Sequence, residues 1–226
     1  MSHQKPTSRL LTTLLVSLTL LLSPSLALAL PAPVPAEPSS PDVTKLFNGL
    51  GHIIVLNSTS YSDASLSSDS IGCLSDAGYV VTASSSSDCA TFSTSITSYP
   101  KTISSKIGGC SFGNQAMPTN EDSRYGARQH AWSCNEDPAM VPEGERYYTI
   151  NGFKYPFICN GNLNCYYDIP RAPSSKEEDS KGDKVVVWQY AWGSEQMGIT
   201  PGHLQVLWMW VPAGKQGEDG SAVKPF

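Results

Sequence analysis

Few residues in this chain could do chemistry, and they are scattered. Beyond residue 29 there are three histidines, His52, His130 and His203, each beside an apolar run and none at a partner's spacing. The members of a Ser-His-Asp triad can come from anywhere in a chain, yet no H-E-x-x-H zinc signature occurs and no nucleophile elbow is expected. Paired carboxylates offer another hydrolytic route, with one acid and one nucleophile flanking a glycosidic bond. Glu136, Asp137, Glu143 and Glu145 fall in a proline-broken acidic stretch that reads as solvated loop. Glu195 stands between two tryptophan-rich runs and is the one acid placed to act on a glycan. The five tryptophans, Trp132, Trp188, Trp192, Trp208 and Trp210, all lie in the second half. Trp188 and Trp192 share a strand parity, as do Trp208 and Trp210, so each pair projects to one side. An indole suits a core or a binding face, because its apolar ring carries one N–H that wants a partner. Filling the core is the plainer reading of these rings. The sharper one is a platform for sugar rings made by Trp188, Tyr190, Trp192 and Glu195.

Positioning any such residues falls to what remains after a targeting segment is set aside. Lys5 and Arg9, the nearly all-apolar residues 10–22, the Ser23-Pro24 break and Ala27-Leu28-Ala29 are the parts of a secretory signal peptide over residues 1–29. The apolar run falls short of the roughly 20 residues that span a bilayer, so no membrane contact is expected once the signal is cleaved. Removal takes two of the 15 basic residues and none of the 20 acidic ones, leaving a net charge of −7. An acidic chain without a Lys/Arg cluster is a poor partner for nucleic acid, whose binding rests on phosphate neutralisation. The short cationic stretch from Arg124 to His130 reads as solvated surface.

All six cysteines lie beyond the signal, and an even count in a secreted chain reads as three disulfides. Neighbour pairing, Cys73–Cys89, Cys110–Cys134 and Cys159–Cys165, is favoured because β-meanders bring sequence neighbours together. With no C-x-x-C pair and no histidine spacing, a metal is not expected, and neither is a cofactor.

Residues 30–45 open with five prolines in twelve positions and read as a linker or pro-segment. Residues 46–214 form the single expected domain, and 215–226 a loose polar tail. Val43, Leu46, Phe47 and Leu50 have helical spacing, while Ile53-Ile54-Val55-Leu56 reads as a strand buried on both faces. Asn57-Ser58-Thr59 is the chain's one N-glycosylation sequon and marks a surface turn. Residues 58–105 hold 23 Ser and Thr among 48, but apolar residues and two cysteines punctuate them at strand-like intervals, which favours a sheet over a stalk. Asp76-Ala77-Gly78 reads as a turn. Asn151-Gly152 between aromatic and β-branched runs predicts a two-residue type I′ hairpin. Residues 184–192 and 203–211 read as two further strands. The pattern predicts an all-β, disulfide-stabilised antiparallel sandwich or barrel of about eight to ten strands with little helix.

Gly72-Cys73-Leu74, Gly78, Cys89-Ala90-Thr91-Phe92 and Gly109-Cys110 together resemble the small β-rich module on the C-terminal side of secreted fungal ribonucleases of the T-two type. Residues Phe153-Lys154-Tyr155 and Tyr166-Tyr167-Asp168-Ile169-Pro170 are similar to that module's later strands more loosely. The resemblance runs from Leu50 to Val211, with its specific part at the front, and implies a β-fold in a fungal secreted setting. It does not imply ribonuclease chemistry: the H-G-L-W-P-like and H-E-W-x-x-H-G-x-C-like catalytic segments have no counterpart here. The expectation is a secreted, monomeric, non-enzymatic protein that binds a polysaccharide, a cell wall or a host protein. The rivals are a glycan hydrolase using Glu195 and a structural surface protein.

Overall fold

The computed structural model describes residues 42–82, 89–95, 101–123, 130–137, 146–161, 165–174, 183–190 and 198–213. Residues 1–29, expected as a signal peptide, the Pro-rich segment before residue 42, the serine tract 83–88 and the tail from 214 lie outside these residues. Among the described residues the fold has twelve short strands and almost no helix. The strands are β1 (Leu50–Leu56), β2 (Ser70–Leu74), β3 (Val80–Val81), β4 (Phe92–Thr94), β5 (Ile103–Ser104) and β6 (Gly109–Ser111). They continue as β7 (Ser133–Asn135), β8 (Tyr147–Thr149), β9 (Ile158–Asn160), β10 (Tyr166–Ile169), β11 (Trp188–Gln189) and β12 (Leu204–Pro212). Among the described residues helix is confined to a 3-10 turn at Val43–Lys45 and one α-turn, α1, at Leu66–Asp69.

Ten strands form one antiparallel sheet curled into a half-barrel, in the order β11-β10-β12-β1-β4-β5-β6-β7, with β2 and β3 branching from β1. β8 and β9 form a separate pair. The hub is β1. One edge pairs with β12 along six positions, from Gly51↔Pro212 to Leu56↔Leu207, and the other edge is shared by β2 and β4. Both hub strands are buried on both faces, and strict alternation sorts their side chains. Ile53, Val55, Val206, Trp208 and Trp210 enter one apolar cluster; Ile54, Leu56, Leu207 and Met209 enter the other. The continuous apolar run at residues 53–56 therefore marks a doubly covered strand. Gly51 is needed beside Trp210, because a Cβ there would sit 2.4 Å from the indole ring.

The first cluster is built on aromatic rings. Tyr167 and Trp208 stack at 3.7 Å and 11°, and Trp132 meets Trp208 edge-on at 4.9 Å. Trp132 donates Nε1–H to the Tyr147 hydroxyl at 2.7 Å, and Tyr167 donates its hydroxyl to the Ile158 carbonyl. Trp132, Trp208 and Trp210 are at most 1 % exposed, so these three indoles fill the core. Each contributes about 1.5–3 kcal/mol of transfer free energy, the magnitude for a large apolar side chain.

All three disulfides join the expected neighbours, Cys73–Cys89, Cys110–Cys134 and Cys159–Cys165. Cys110 and Cys134 are directly opposed across β6 and β7, which is why they pair. The turn at Asp76-Ala77-Gly78 is present, with Gly78 at φ +93° and its N–H on the Ser75 carbonyl. The tight hairpin at Asn151-Gly152 is not. Thr149 pairs with Ile158, so residues 150–157 form a longer excursion, although Gly152 keeps a positive φ of 95°. The reason is tertiary. Phe153 and Tyr155 leave the ladder to pack on the second apolar cluster, and Phe157 bridges Met209 of β12.

Candidate functional site

The half-barrel's β11-β10-β12 end carries a polar cluster that no sequence motif announces. β10 alternates Tyr167 and Ile169 into the aromatic cluster, which puts Asp168 on the opposite face. Its carboxylate is fully buried. Three groups from two segments meet it. His203, just before β12, lies with Nδ1 2.6 Å from Oδ1; a carboxylate only accepts, so Nδ1–H donates. Thr200 donates its hydroxyl to Oδ2 at 2.5 Å, and Asn120 donates Nδ2–H to the same oxygen at 3.1 Å. Register explains the meeting: Asp168 opposes Trp188 on one side and Gln205 on the other, so the start of β12 and the face of β11 converge on it. The Trp188 indole then stacks on the His203 ring at 5.8 Å and 15°.

A loop from Asn114 to Ser123 closes over this cluster. Its backbone is held by the Thr119↔His130 bridge, and the Pro118 carbonyl accepts both the Ala131 N–H and the Trp188 indole N–H. His130 donates Nδ1–H to the Met117 carbonyl at 2.8 Å. Between loop and sheet lies a cleft of about 670 Å³, lined among others by Met117, Asn120, Glu121, Asp122, His130 and Trp188. That volume suits a small-molecule or single-saccharide site. Asn120 is 2 % exposed, and with Nδ2 committed to Asp168 and Thr200 its Oδ1 is buried without a hydrogen-bond partner. An unmet buried acceptor costs about 1–3 kcal/mol.

The three described histidines share a device: Nδ1–H is tied to an oxygen, the Ala90 carbonyl for His52, the Met117 carbonyl for His130 and the Asp168 carboxylate for His203. Each ring therefore presents Nε2. For His203 the nearest charged neighbour of Nε2 is the exposed Asp122 carboxylate, at 3.8 Å. The Asp168–His203 pair has the form of an oriented acid-base unit, but among the described residues no hydroxyl or thiol is hydrogen-bonded to Nε2. The string Gly109-Cys110-Ser111-Phe112-Gly113 has the G-x-S-x-G spacing, yet it is no elbow. It lies on β6 with Ser111 fully buried and Cys110 in a disulfide, and it opens no helix. Among the described residues no group of three His, Cys, Asp or Glu side chains is gathered to hold a metal ion.

Of the residues singled out for ligand contact, Trp188 is 7 % exposed and lines the cleft, with its ring on His203. Tyr190 is 4 % exposed and meets Tyr166 edge-on; burial first, then the nearby Asp168 carboxylate, raises its phenol above the usual tyrosine range. Trp192 and Glu195 lie outside the described residues. Asn57 is exposed at the turn after β1. Asp168, His203, Thr200 and Asn120 are the functional candidates that the sequence did not single out as a group. No family model, no curated protein and no solved structure matches this chain.

Proposed function

We propose that this is a secreted, non-catalytic protein that binds a saccharide unit of a wall or surface polysaccharide in the cleft beside Trp188. The observation that carries the reading is the lining itself, which combines the apolar Trp188 and Met117 with the polar Asn120, Glu121, Asp122 and His130. Sugars present C–H faces and many hydroxyls, and that pairing of apolar edge and acceptors is what they ask for. Three disulfides suit an oxidising compartment. The signal-like N-terminus and the resemblance to the ribonuclease-associated module support secretion without nuclease chemistry.

The test is retention of the mature chain on insoluble chitin, β-glucan and cellulose, with released sugar measured in the same tubes. One polymer is expected to retain the protein without sugar release. Trp188→Leu and Asn120→Ala are each expected to weaken retention about tenfold, the equivalent of about 1.4 kcal/mol. Unchanged retention in both folded variants would sink the cleft as the site. A hydrolase is the second reading, and its supporting observation is the oriented Asp168–His203 pair. Sugar release abolished by His203→Gln would establish it; release abolished by Glu195→Gln would establish the acid-based version instead. A protein that stays in the supernatant and releases nothing points to a host protein or a purely structural role.

A further inference from the structure

The sequon at Asn57 lies beside a half-buried aromatic patch on the sheet face opposite the aromatic core. Strand register fixes the distance. Leu56 opposes Leu207, and Leu207 opposes Tyr166, so the three form one row across β1, β12 and β10. Two strand spacings separate its ends, about 10 Å. The chain after Asn57 then folds over this row. Tyr61 packs on Tyr166 at 4.7 Å between ring centroids, on Phe153 at 5.0 Å and on Phe157 at 5.4 Å. The Tyr166 hydroxyl donates to the carbonyl of Thr59, the third residue of the sequon, at 3.1 Å. The Asn57 N–H is fixed on the Asp69 carbonyl at 2.8 Å, so the attachment point is held in place while the residue stays exposed.

Tyr61, Phe153, Tyr155 and Tyr166 cap the second apolar cluster, yet each remains half-buried, because no strand layer covers them among the described residues. We infer that an N-glycan on Asn57 supplies the missing cover, its first N-acetylglucosamine lying over the Tyr61–Tyr166 rings. Attachment forms a bond from the Asn57 side-chain nitrogen to the sugar's anomeric carbon, with loss of the lipid diphosphate carrier of the donor oligosaccharide and of one amide proton. The sugar's C–H face meets the ring faces, and its hydroxyls stay in water, as amphipathic aromatic surfaces favour. This inference depends on passage through a glycosylating compartment and is independent of what fills the cleft.

The test uses the full chain secreted from a eukaryotic host, with the glycan trimmed to a single N-acetylglucosamine. Mass analysis of the Asn57 peptide is expected to show occupancy. The trimmed protein is expected to melt about 2–4 °C above Asn57→Gln, the shift that about 1 kcal/mol produces in a domain of this size. In a Tyr61→Ala background the difference should vanish. Should that variant fail to fold, the wild-type spectrum still decides: ring currents from Tyr61 and Tyr166 should move the N-acetyl methyl proton resonance upfield of its position in the free glycopeptide. An unoccupied Asn57, a methyl signal at the free position, or a melting difference that survives Tyr61→Ala would each overturn the inference.

Discussion

On one face of β10, Tyr167 lies flat against Trp208, while on the other Asp168 binds Thr200, Asn120 and His203. Both side chains are wholly buried, but they sit there for different reasons. The aromatic stack is stabilised by the area it removes from water; the Tyr167 hydroxyl is met by the Ile158 carbonyl, while the Trp208 Nε1–H is buried among the rings without a hydrogen-bond partner. A buried carboxylate gains nothing from burial, and its interactions at best offset the cost of desolvation. What it gains is position. Asp168 reaches into the 114–123 loop through Asn120 and into the start of β12 through His203, and so fixes the geometry of the cleft between them. One strand thus carries the fold on one side and the candidate site on the other.

This contrast can be broken from either face. Trp208→Ala, in the stack, is expected to lower stability by about 3–5 kcal/mol, the range for aromatic-to-alanine changes in cores. The fraction that remains folded should bind ligand as tightly as the wild type. Denaturant titration and a binding isotherm on the same preparation check both halves, and weakened binding in that folded fraction would blur the division. Asp168→Asn keeps the shape but turns one acceptor into a donor, facing either the His203 N–H or the donors of Asn120 and Thr200. Its expected cost is about 3 kcal/mol, at the low end for breaking a buried pair, and here binding should fall as well. Loss of stability with full retention of binding would make Asp168 merely structural.

How much of this was legible beforehand differs between the two faces in the same way. Residues 53–56 and the 208/210 parity reveal the hub strands because period-two burial writes itself into neighbouring positions. Cysteine pairing is legible because the meander keeps partners close, at separations of 16, 24 and 6 residues. The hairpin at Asn151-Gly152 misleads, since local turn preference gave way to the packing of Phe153 and Tyr155 across β12. The site is hidden for a plainer reason. Asn120, Asp168, Thr200 and His203 come from segments up to 83 positions apart, and none carries a motif of its own. Only the Trp188 ring and the histidines hinted at it, and their partners, two backbone carbonyls and one distant carboxylate, leave no spacing to read.

A smaller test sharpens the same contrast by moving to a carboxylate at the surface. Asp183 pairs with Arg171 and accepts the Ser174 N–H at 2.7 Å, bringing the ends of the 171–183 excursion together. The Arg171 guanidinium, then the Ser174 N–H, hold its pKa down to about 2. A depressed carboxylate pKa gives stability that is fully present above the unfolded value of about 3.9 and is lost as pH falls through the folded one. With Arg171 57 % exposed, screening keeps the contribution below about 1 kcal/mol. Asp183→Asn should therefore melt slightly below the wild type at pH 6, and thermal melts should converge between about pH 4 and pH 2. A deficit that persists at pH 2 would mean that the carboxylate charge is not the source.

The pairing of β1 with β12 sets a condition on how the chain can be made. β12 is an interior strand, flanked by β1 and β10, and its residues are among the last that the structure describes. None of the three disulfides ties the two ends together. A nascent chain emerging vectorially can close its local cystine loops early, but the sheet's central seam stays open until residue 212 is available. Long-range pairing of this kind is slow, and exposed strand edges invite wrong partners in the interval. Synthesis that stops short of β12 would leave β1 and β10 each with an unzipped edge, so quality control during biogenesis has one late event to monitor, the arrival of that strand.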